Sequence, residues 1–520
     1  VGKRAVGMVA GGHPDTAAAG AEIMEFGGNA ADAAVAASFA AMVAEASLAG
    51  MGAGGFALVR EPGSAPHLLD FFVAAPGKGR TPGDREDRSH LVAFYVPFRA
   101  TSQRFNIGPS SCAVPGVVPG LLTLHRRYGR VPLPAVLEPA IRLTRNGARL
   151  VPQQDYLHDI LAGILHDPPE MQRIFAPEGH LLRAGERLRI PELGDTLELL
   201  AREGEAAFHS GALAERITEF MEESGGLITR EDLEAYTVID RRPVEVSYRG
   251  QRIWTNPPPS SGGTLIAYTL KTLSDRHLAE LGASAGTLAL VEAFAQTDRA
   301  RARGFDQAIR DPGFADKFLG NTTHISAIDA DGLAVSVTSS CGSGSGVVVP
   351  GTGIIMNNMM GEEDLNPGGH FSLAPGERLT SMMAPTLAEV SAGSGLPKSN
   401  QGPDGPEMIL ALGSAGSERL RSAIVQTLSN VLDRGMGLQQ AVEAPRVHLT
   451  GNTVQVEPGV SDSAVQALVN AGYEVNRWPE CDLYFGGVQA AAFWPSSSDR
   501  FDGGGDPRRG GGTSLAVTIT

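Results

Sequence analysis

Aromatic residues make up only 6% of the chain and charged residues only 19%, and cysteine occurs three times, at Cys112, Cys341 and Cys481. Three thiols without a CxxC pair form neither an even disulfide set nor a zinc-ligand pattern, so a reducing compartment is expected and a structural metal is not. The 12 histidines are scattered without metal-ligand spacing. Basic residues are outnumbered, 43 against 58 acidic ones, for a net charge of −15. They are dispersed and form no stripe, which excludes the electrostatic footprint of a nucleic-acid binder. The opening VGKRAVGMVAGGHP lacks a basic region followed by an apolar stretch and a cleavage site, so a cytoplasmic location is expected. The longest apolar run, 30–50, carries Asp32 and Glu45, both expensive in a bilayer, and reads as a packed helix with no membrane span. P-loop and HExxH patterns are missing as well.

Glycine is what the chain has in excess, 65 of 520 residues. No three-residue period runs through these glycines, which excludes collagen, and they alternate with periodic apolar segments, which excludes wholesale disorder. A hydrophobic share of 42% over this length suffices for one large core or two joined ones. Gly50, Gly52 and Gly55 form a GxGxxG with Asp70 beyond it, the outline of a dinucleotide fingerprint. That fingerprint requires strand, glycine turn, then helix, because the pyrophosphate sits on the helix N-terminus. Here a helical pattern precedes the glycines and a strand pattern follows them, so no nucleotide and no other cofactor is expected.

Helical periodicity runs from His13 to Ala46 with a break at Gly27-Gly28-Asn29, and strand patterns follow at 55–59 and 67–72. The stretch Pro76–His90 reads as a loop. Helical pieces dominate 119–281, interrupted by strand signals at 244–248 and 252–254 and by a PPPSSGG turn, and a further helix is expected over 286–304. After Asn321 the texture becomes strands: HISAID, LAVSVT, GIIM, APTLAEV and MILAL, the first two joined by a turn at Asp329-Ala330-Asp331-Gly332. A GSAGS turn at Gly413–Ser417 then leads into a helix over 417–434, with a serine at its start and Gly435 at its end. Segments 391–406 and 496–512 read as exposed loops. Helices gathered early and strands late argue for an α+β fold of stacked layers around antiparallel sheet.

One stretch carries chemistry: Asn321-Thr322-Thr323-His324, then LAVSVTSSCGSGSGVVVPGTGIIMNN. Two threonines at a strand start are unremarkable alone. The stretch, however, resembles the gamma-glutamyltransferase family of N-terminal nucleophile hydrolases. The resemblance runs nearly the length of the chain, through GMVAGGHPDTAAAGAEIMEFGGNAADAAVAASFA, LAGMGAGGF, LLDFFVAAP, AVPGVVPGLLTLHRRYGRVPL, GGLITREDLEAY, RRPVEVSYRG, PPPSSGGTL, NTTHISAIDADG, VVPGTGIIMNN and GGGDPRRGG, in family order. It implies a four-layer αββα sandwich and a precursor that cuts itself between Asn321 and Thr322. The products, 1–321 and 322–520, would stay interwoven as the large and small subunits of one domain. It also implies that Thr322 is the nucleophile, that Ser340 stands where a second family threonine assists it, and that Gly416 and Ser417 offer backbone N–H groups to an oxyanion. The freed Thr322 amine would serve as base for its own hydroxyl.

The substrate-binding pattern departs from the family. Where the family reads DFRE, with the arginine gripping a substrate carboxylate, this chain reads DFFV and places Phe72. Phenylalanine cannot make a bidentate carboxylate contact. Gly342 replaces the family asparagine, Glu362 the aspartate that binds the substrate amine, and Ser381-Met382 the serine pair. A small-molecule amide whose acyl group is not an ordinary gamma-glutamyl is the expected substrate. Other readings are a carbon–carbon bond hydrolase of antibiotic alkylproline biosynthesis, a gamma-glutamyl hydrolase or transpeptidase with Arg99, Arg104 or Arg378 as relocated contact, and an unprocessed scaffold without catalysis.

Overall fold

Antiparallel strands in two stacked sheets form the centre of the molecule, in a computed structural model that describes residues 2–98, 101–302, 322–366, 368–391, 406–497 and 499–519. The strands are β1 (Lys3–Gly11), β2 (Gly54–Arg60), β3 (His67–Phe71), β4 (Ile239–Arg241), β5 (Val244–Tyr248), β6 (Gln251–Thr255), β7 (Thr323–Asp329), β8 (Ala334–Ser340), β9 (Thr386–Val390), β10 (Met408–Ala415), β11 (Gly487–Phe493), β12 (Phe501–Gly505) and β13 (Gly512–Ile519). A seven-stranded sheet has the order β13-β1-β7-β8-β2-β3-β4, and a six-stranded sheet the order β12-β11-β10-β9-β6-β5. The chain before Asn321 and the chain after it are interleaved: β7 and β8 lie between β1 and β2.

Helices cover both outer faces, which completes an αββα stack. On the first sheet lie α1 (Pro14–Glu25) and α2 (Ala30–Ala44), with α3 (Val117–Tyr128) and α4 (Leu133–Asn146) packed against α2. Every residue of α2 is buried, which its alanine-rich sequence allows by letting the helix sit close to sheet and helices alike. Asn29 and Asp32 close its N-terminus in a reciprocal capping box. On the second sheet lie α5 (Ser261–Leu273), with α6 (Ala283–Ala302) beside it, and α7 (Arg419–Leu432). No helix among the described residues is long and apolar enough to cross a membrane.

Strands β2, β7, β8, β10 and β11 are buried at every position, so both their faces need partners. Between the sheets an apolar cluster includes Phe56, Phe72, Trp254, Ile328, Met383 and Phe493. Polar ties cross the same gap: Ser326 Oγ donates to Gln489 O at 3.1 Å and Ser336 Oγ to Leu412 O at 3.1 Å. His324 stands beside them, with Nδ1 2.8 Å from Thr338 Oγ1 and Nε2 3.0 Å from Ser326 Oγ. Burial pushes its pKa down to about 3, so the ring is neutral.

Several sequence expectations need correction. Strand β1 and a hairpin pairing Val92–Phe98 with Thr101–Ile107 have no counterpart in the sequence reading. The Pro76–His90 loop contains a short helix, Pro82–Arg88, nucleated by the Thr81 hydroxyl, which accepts from Asp84 N–H. Segment 496–512 contains β12 and a turn with buried Asp506 and Arg508, paired at 3.1 Å; such an internal ion pair leaves no pattern in local hydrophobicity. Of the GSAGS segment, Gly413 to Ala415 complete β10 and only Gly416 and Ser417 turn. Helix α7 therefore starts later than expected, after Glu418, with no side-chain cap. Most of the 391–406 loop and the last two residues of the 286–304 helix lie outside the described residues.

Candidate active site

Thr322 precedes the first residue of β7 and is 5% exposed. The β7–β8 hairpin turns at Asp329, whose Oδ1 accepts from Asp331 N–H (3.0 Å) and Leu333 N–H (3.1 Å). This turn sets a register in which Thr323 faces Ser339, so one step further Ser340 stands opposite Thr322. Ser340 Oγ accepts from Gly342 N–H at 2.8 Å. Asn321 lies outside the described residues, as does Arg99.

The loop after β8 is held by the asparagine pair. Asn357 Nδ2 donates to Gly52 O (2.7 Å) and Ala113 O (2.9 Å), while its Oδ1 accepts from Ala113 N–H and Met359 N–H, both at 3.0 Å. Asn358 Oδ1 accepts from Ser343 N–H at 2.9 Å, and Glu362 Oε1 accepts from the same N–H at 3.0 Å. Gly342 has φ +70°, and a Cβ there would overlap both Asn358 Oδ1 and Glu362 Oε1.

Phe72 is 1% exposed and stacks on Phe56, with ring centroids 5.4 Å apart and planes at 14°. Its backbone is fixed from both sides: its N–H donates to Asp70 Oδ1 at 2.9 Å, and its carbonyl accepts from the Tyr236 hydroxyl at 2.6 Å. Arg241 Nε donates to Asp70 Oδ2 at 2.7 Å. Arg378 lies 3.7 Å from Asp70 Oδ1, stacks over Tyr236 at 4.2 Å and donates to Thr237 O. Arg104 donates to Asn106 Oδ1 at 3.4 Å. The Ser381 hydroxyl accepts from Met383 N–H (3.0 Å), and Met382 Sδ accepts from Ser261 Oγ (3.0 Å). Ser381 O accepts from Ser261 N–H, which docks the PPPSSGG turn here.

Gly416 (φ +116°) and Ser417 (φ +50°) make the turn between β10 and α7. Gly486 Cα would lie 2.9 Å from a Cβ at Gly416, so close approach and dihedral both demand glycine there. Arg419 Nε donates to Tyr484 O at 3.1 Å, and Arg509 Nη2 to Leu483 O at 3.3 Å, which places two guanidinium groups beside this turn. Gly413 packs against the His324 ring, so the ends of β7 and β10 that carry Thr322 and Gly416 lie on the same side of the sandwich.

The family described as Gamma-glutamyltranspeptidase matches residues 16–317 and 306–516. The chain belongs to the gamma-glutamyltranspeptidase family. It is a hydrolase of that family. The acylase ACY 1 proenzyme of Pseudomonas sp. (strain V22) is 35% identical over 527 residues, covering 95% of this chain and 90% of the acylase. The glutathione hydrolase proenzyme of Escherichia coli (strain K12) is 29% identical, covering 90% of this chain and 86% of its own. A cephalosporin acylase from Bacillus halodurans is similar in structure, with a TM-score of 0.77 at 28% identity, covering 100% of this chain and 97% of the acylase.

Of the predicted residues, Thr322, Ser340 and Gly342 lie at adjacent strand ends, with Glu362 bound to the loop that continues from Gly342, and Gly416 and Ser417 turn at the facing end of the second sheet. Phe72 belongs to the inter-sheet apolar cluster, and Ser381 and Met382 are buried under the PPPSSGG turn. Sequence reasoning missed Glu45 and the role of Asn357. Glu45 accepts from Thr323 Oγ1 at 2.6 Å and from Thr16 Oγ1 at 2.8 Å. Its signal was a carboxylate in an otherwise apolar run. Asn357 sits in the MNN that served only as a family landmark.

Proposed function

We propose that this member of the gamma-glutamyltranspeptidase family is a self-processing threonine hydrolase that forms an acyl-enzyme at Thr322. In the precursor, Thr322 Oγ attacks the Asn321 carbonyl, the peptide C–N bond breaks, and water hydrolyses the resulting ester. Asn321 then ends the large subunit with a carboxylate, and Thr322 starts the small subunit with a free amine. In turnover that amine takes the hydroxyl proton while Oγ attacks the substrate carbonyl. The N–H groups of Gly416 and Ser417, beside two guanidinium groups, are the donors offered to the tetrahedral oxyanion. The amine passes its proton to the leaving nitrogen, and water releases the acyl group. The placement of Ser340 opposite Thr322, with a hydroxyl already oriented by Gly342 N–H, supports this reading.

The acyl group is of a kind other than gamma-glutamyl. The observation that carries this is Phe72, which fills the arginine position with a ring stacked in the core. Arg378, one candidate substitute, lies against Asp70 and Tyr236 and donates to Thr237 O. The greater identity to an acylase than to glutathione hydrolases points the same way. Intact-mass measurement on the purified protein is expected to give two fragments divided between Asn321 and Thr322, and Thr322→Ala to give one. A gamma-glutamyl anilide is expected to be turned over at least tenfold more slowly than the best of a panel of uncharged and dicarboxylic acyl anilides. Rapid gamma-glutamyl release would refute the altered pocket, and a wild-type chain that is never cut would refute the nucleophile.

A further inference from the structure

Glu45 follows α2, is 4% exposed, and has no part in the reaction just described. Its Oε2 accepts from the hydroxyl of Thr323, the residue covalently next to Thr322, and its Oε1 from Thr16 of α1. The backbone at Gly12 closes over Oε2 so tightly that a side chain there would overlap it. Arg509, from the GGGDPRRGG segment, lines the same cavity of about 20 Å³, together with Gly12, Leu48, Leu483 and Arg508. That volume holds about one water. The Arg509 stem lies along Gly487, and its Nη2 is 3.6 Å from where a Cβ on Gly416 would be. One carboxylate therefore holds the strand that begins next to the nucleophile, and a guanidinium in the same cavity lies beside the Gly416 turn, donating to Leu483 O at 3.3 Å.

We propose that Glu45 and Arg509 are positioning residues, Glu45 holding Thr322 through Thr323 and Arg509 holding the Gly416 turn, so that nucleophile and oxyanion donors keep their separation. The inference rests on the Thr322 reading above. Neither side chain is offered a contact with substrate. Misplacing reacting groups by about 1 Å can cost on the order of a hundredfold in rate without weakening binding. A brace of this kind therefore acts on kcat and leaves KM alone.

The brace has a pH signature. Burial pushes the Glu45 carboxyl up to about 7, against the lowering pull of the Thr323 and Thr16 hydroxyls and of Arg509. The groups packed around it are Thr16 from α1, Thr323 from β7, Gln154 from the helix Pro152–Ile160, and Arg508 and Arg509 from the turn after β12. Arg508 is engaged with Glu457 at 2.6 Å and Asp506 at 3.1 Å. His13, next to Gly12, directs its ring to Arg149 O and Asp15 N–H. Protonation of Glu45 as pH falls through about 7 removes one of its two acceptor sites. The Thr322 amine, ordinarily near 7.7–8.0, loses its basicity over a neighbouring range. The acid limb of kcat then carries two protons.

The test compares wild type, Glu45→Gln, Arg509→Met and Arg509→Lys, with kcat normalised to the fraction cut and with thermal melts alongside. Glu45→Gln is expected to lower kcat about ten- to hundredfold with KM within about threefold, and to leave a one-proton acid limb. Arg509→Met is expected to lower kcat similarly, with Arg509→Lys recovering part of it. A Glu45→Gln enzyme with wild-type kcat and a two-proton limb, or one altered only in melting temperature, overturns the inference. Should Glu45→Gln not fold, Thr323→Val removes the same hydrogen bond from the other side, and wild-type kcat in that variant also overturns it. A wild-type chain that is neither cut nor active sinks this inference together with the Thr322 reading, whereas a cut, active wild type with indifferent variants sinks it alone.

Discussion

Glu362 Oε1 occupies the space that a side chain at Gly342 would need, and accepts there from Ser343 N–H at 3.0 Å. The absence of a side chain at Gly342 leaves room for the Glu362 carboxylate, which binds the chain's own backbone.

Gly342→Asn is expected to destabilise the protein by about 1–3 kcal/mol, the usual cost of overpacking. Asparagine tolerates the positive φ, so overlap with Asn358 and Glu362 is the main penalty. Combining it with Glu362→Asp, which withdraws the carboxylate but leaves the Asn358 overlap, is expected to recover part of the loss. A double-mutant cycle by urea unfolding checks this, and simple additivity would mean that the two sites do not share the space.

Phe72→Arg tests whether position 72 faces a substrate or the core. With Phe56 stacked against it and Asp70 already held by Arg241, the new charge would enter the inter-sheet core unpaired. A loss of about 3–5 kcal/mol is expected, the scale of an uncompensated buried charge. Denaturant unfolding measures it; a variant as stable as wild type that also hydrolyses a gamma-glutamyl anilide would show that the ring lines an open pocket.

Ser340→Ala removes the hydroxyl opposite Thr322 and leaves the Gly342 N–H without its acceptor. Self-cleavage and turnover are both expected to slow about tenfold or more, corresponding to a hydrogen bond of about 1.5 kcal/mol. Ser340→Thr is expected to stay within about threefold of wild type. Time-resolved intact-mass measurement follows the cut, and equal rates for alanine and serine would remove Ser340 from the site.

His324 links acid sensitivity to the inter-sheet ties. Its folded pKa lies below the ordinary value of 6.5, at about 3, so the unfolded chain binds a proton first as pH falls. Its contribution is present in full above that ordinary value and is lost on acidification, at about 1.4 kcal/mol per pH unit. His13, His158 and His448, also pushed down by burial, add their own slopes. His324→Asn is therefore expected to be less stable at pH 7 but to show a pH 4–6 slope shallower by one proton. An unchanged slope would mean that the ring is protonated in the folded state.

Elements with a repeating local pattern were legible in the chain. The break at Gly27-Gly28-Asn29 and the small residues of 30–44 announced α1 and α2, and the Asp329–Gly332 turn announced the hairpin behind Thr322, because capping and turn chemistry act over a few residues. The Thr322, Ser340 and Gly416 grouping was legible only through family resemblance, since nothing local distinguishes a TT pair at a strand start. Tertiary structure decided the rest. β1 and the 501–505 strand gain their stability from strands far away in sequence, and the ion pair of Asp506 and Arg508 pairs charges that composition reads as surface. Whether Phe72 and Glu362 face a substrate or the protein's own core, and that Glu45 lies against Thr323, depends on contacts between residues from 16 to 278 positions apart. Burial and hydrogen bonding set the roles of these side chains, and both arise only when the two sheets close on each other.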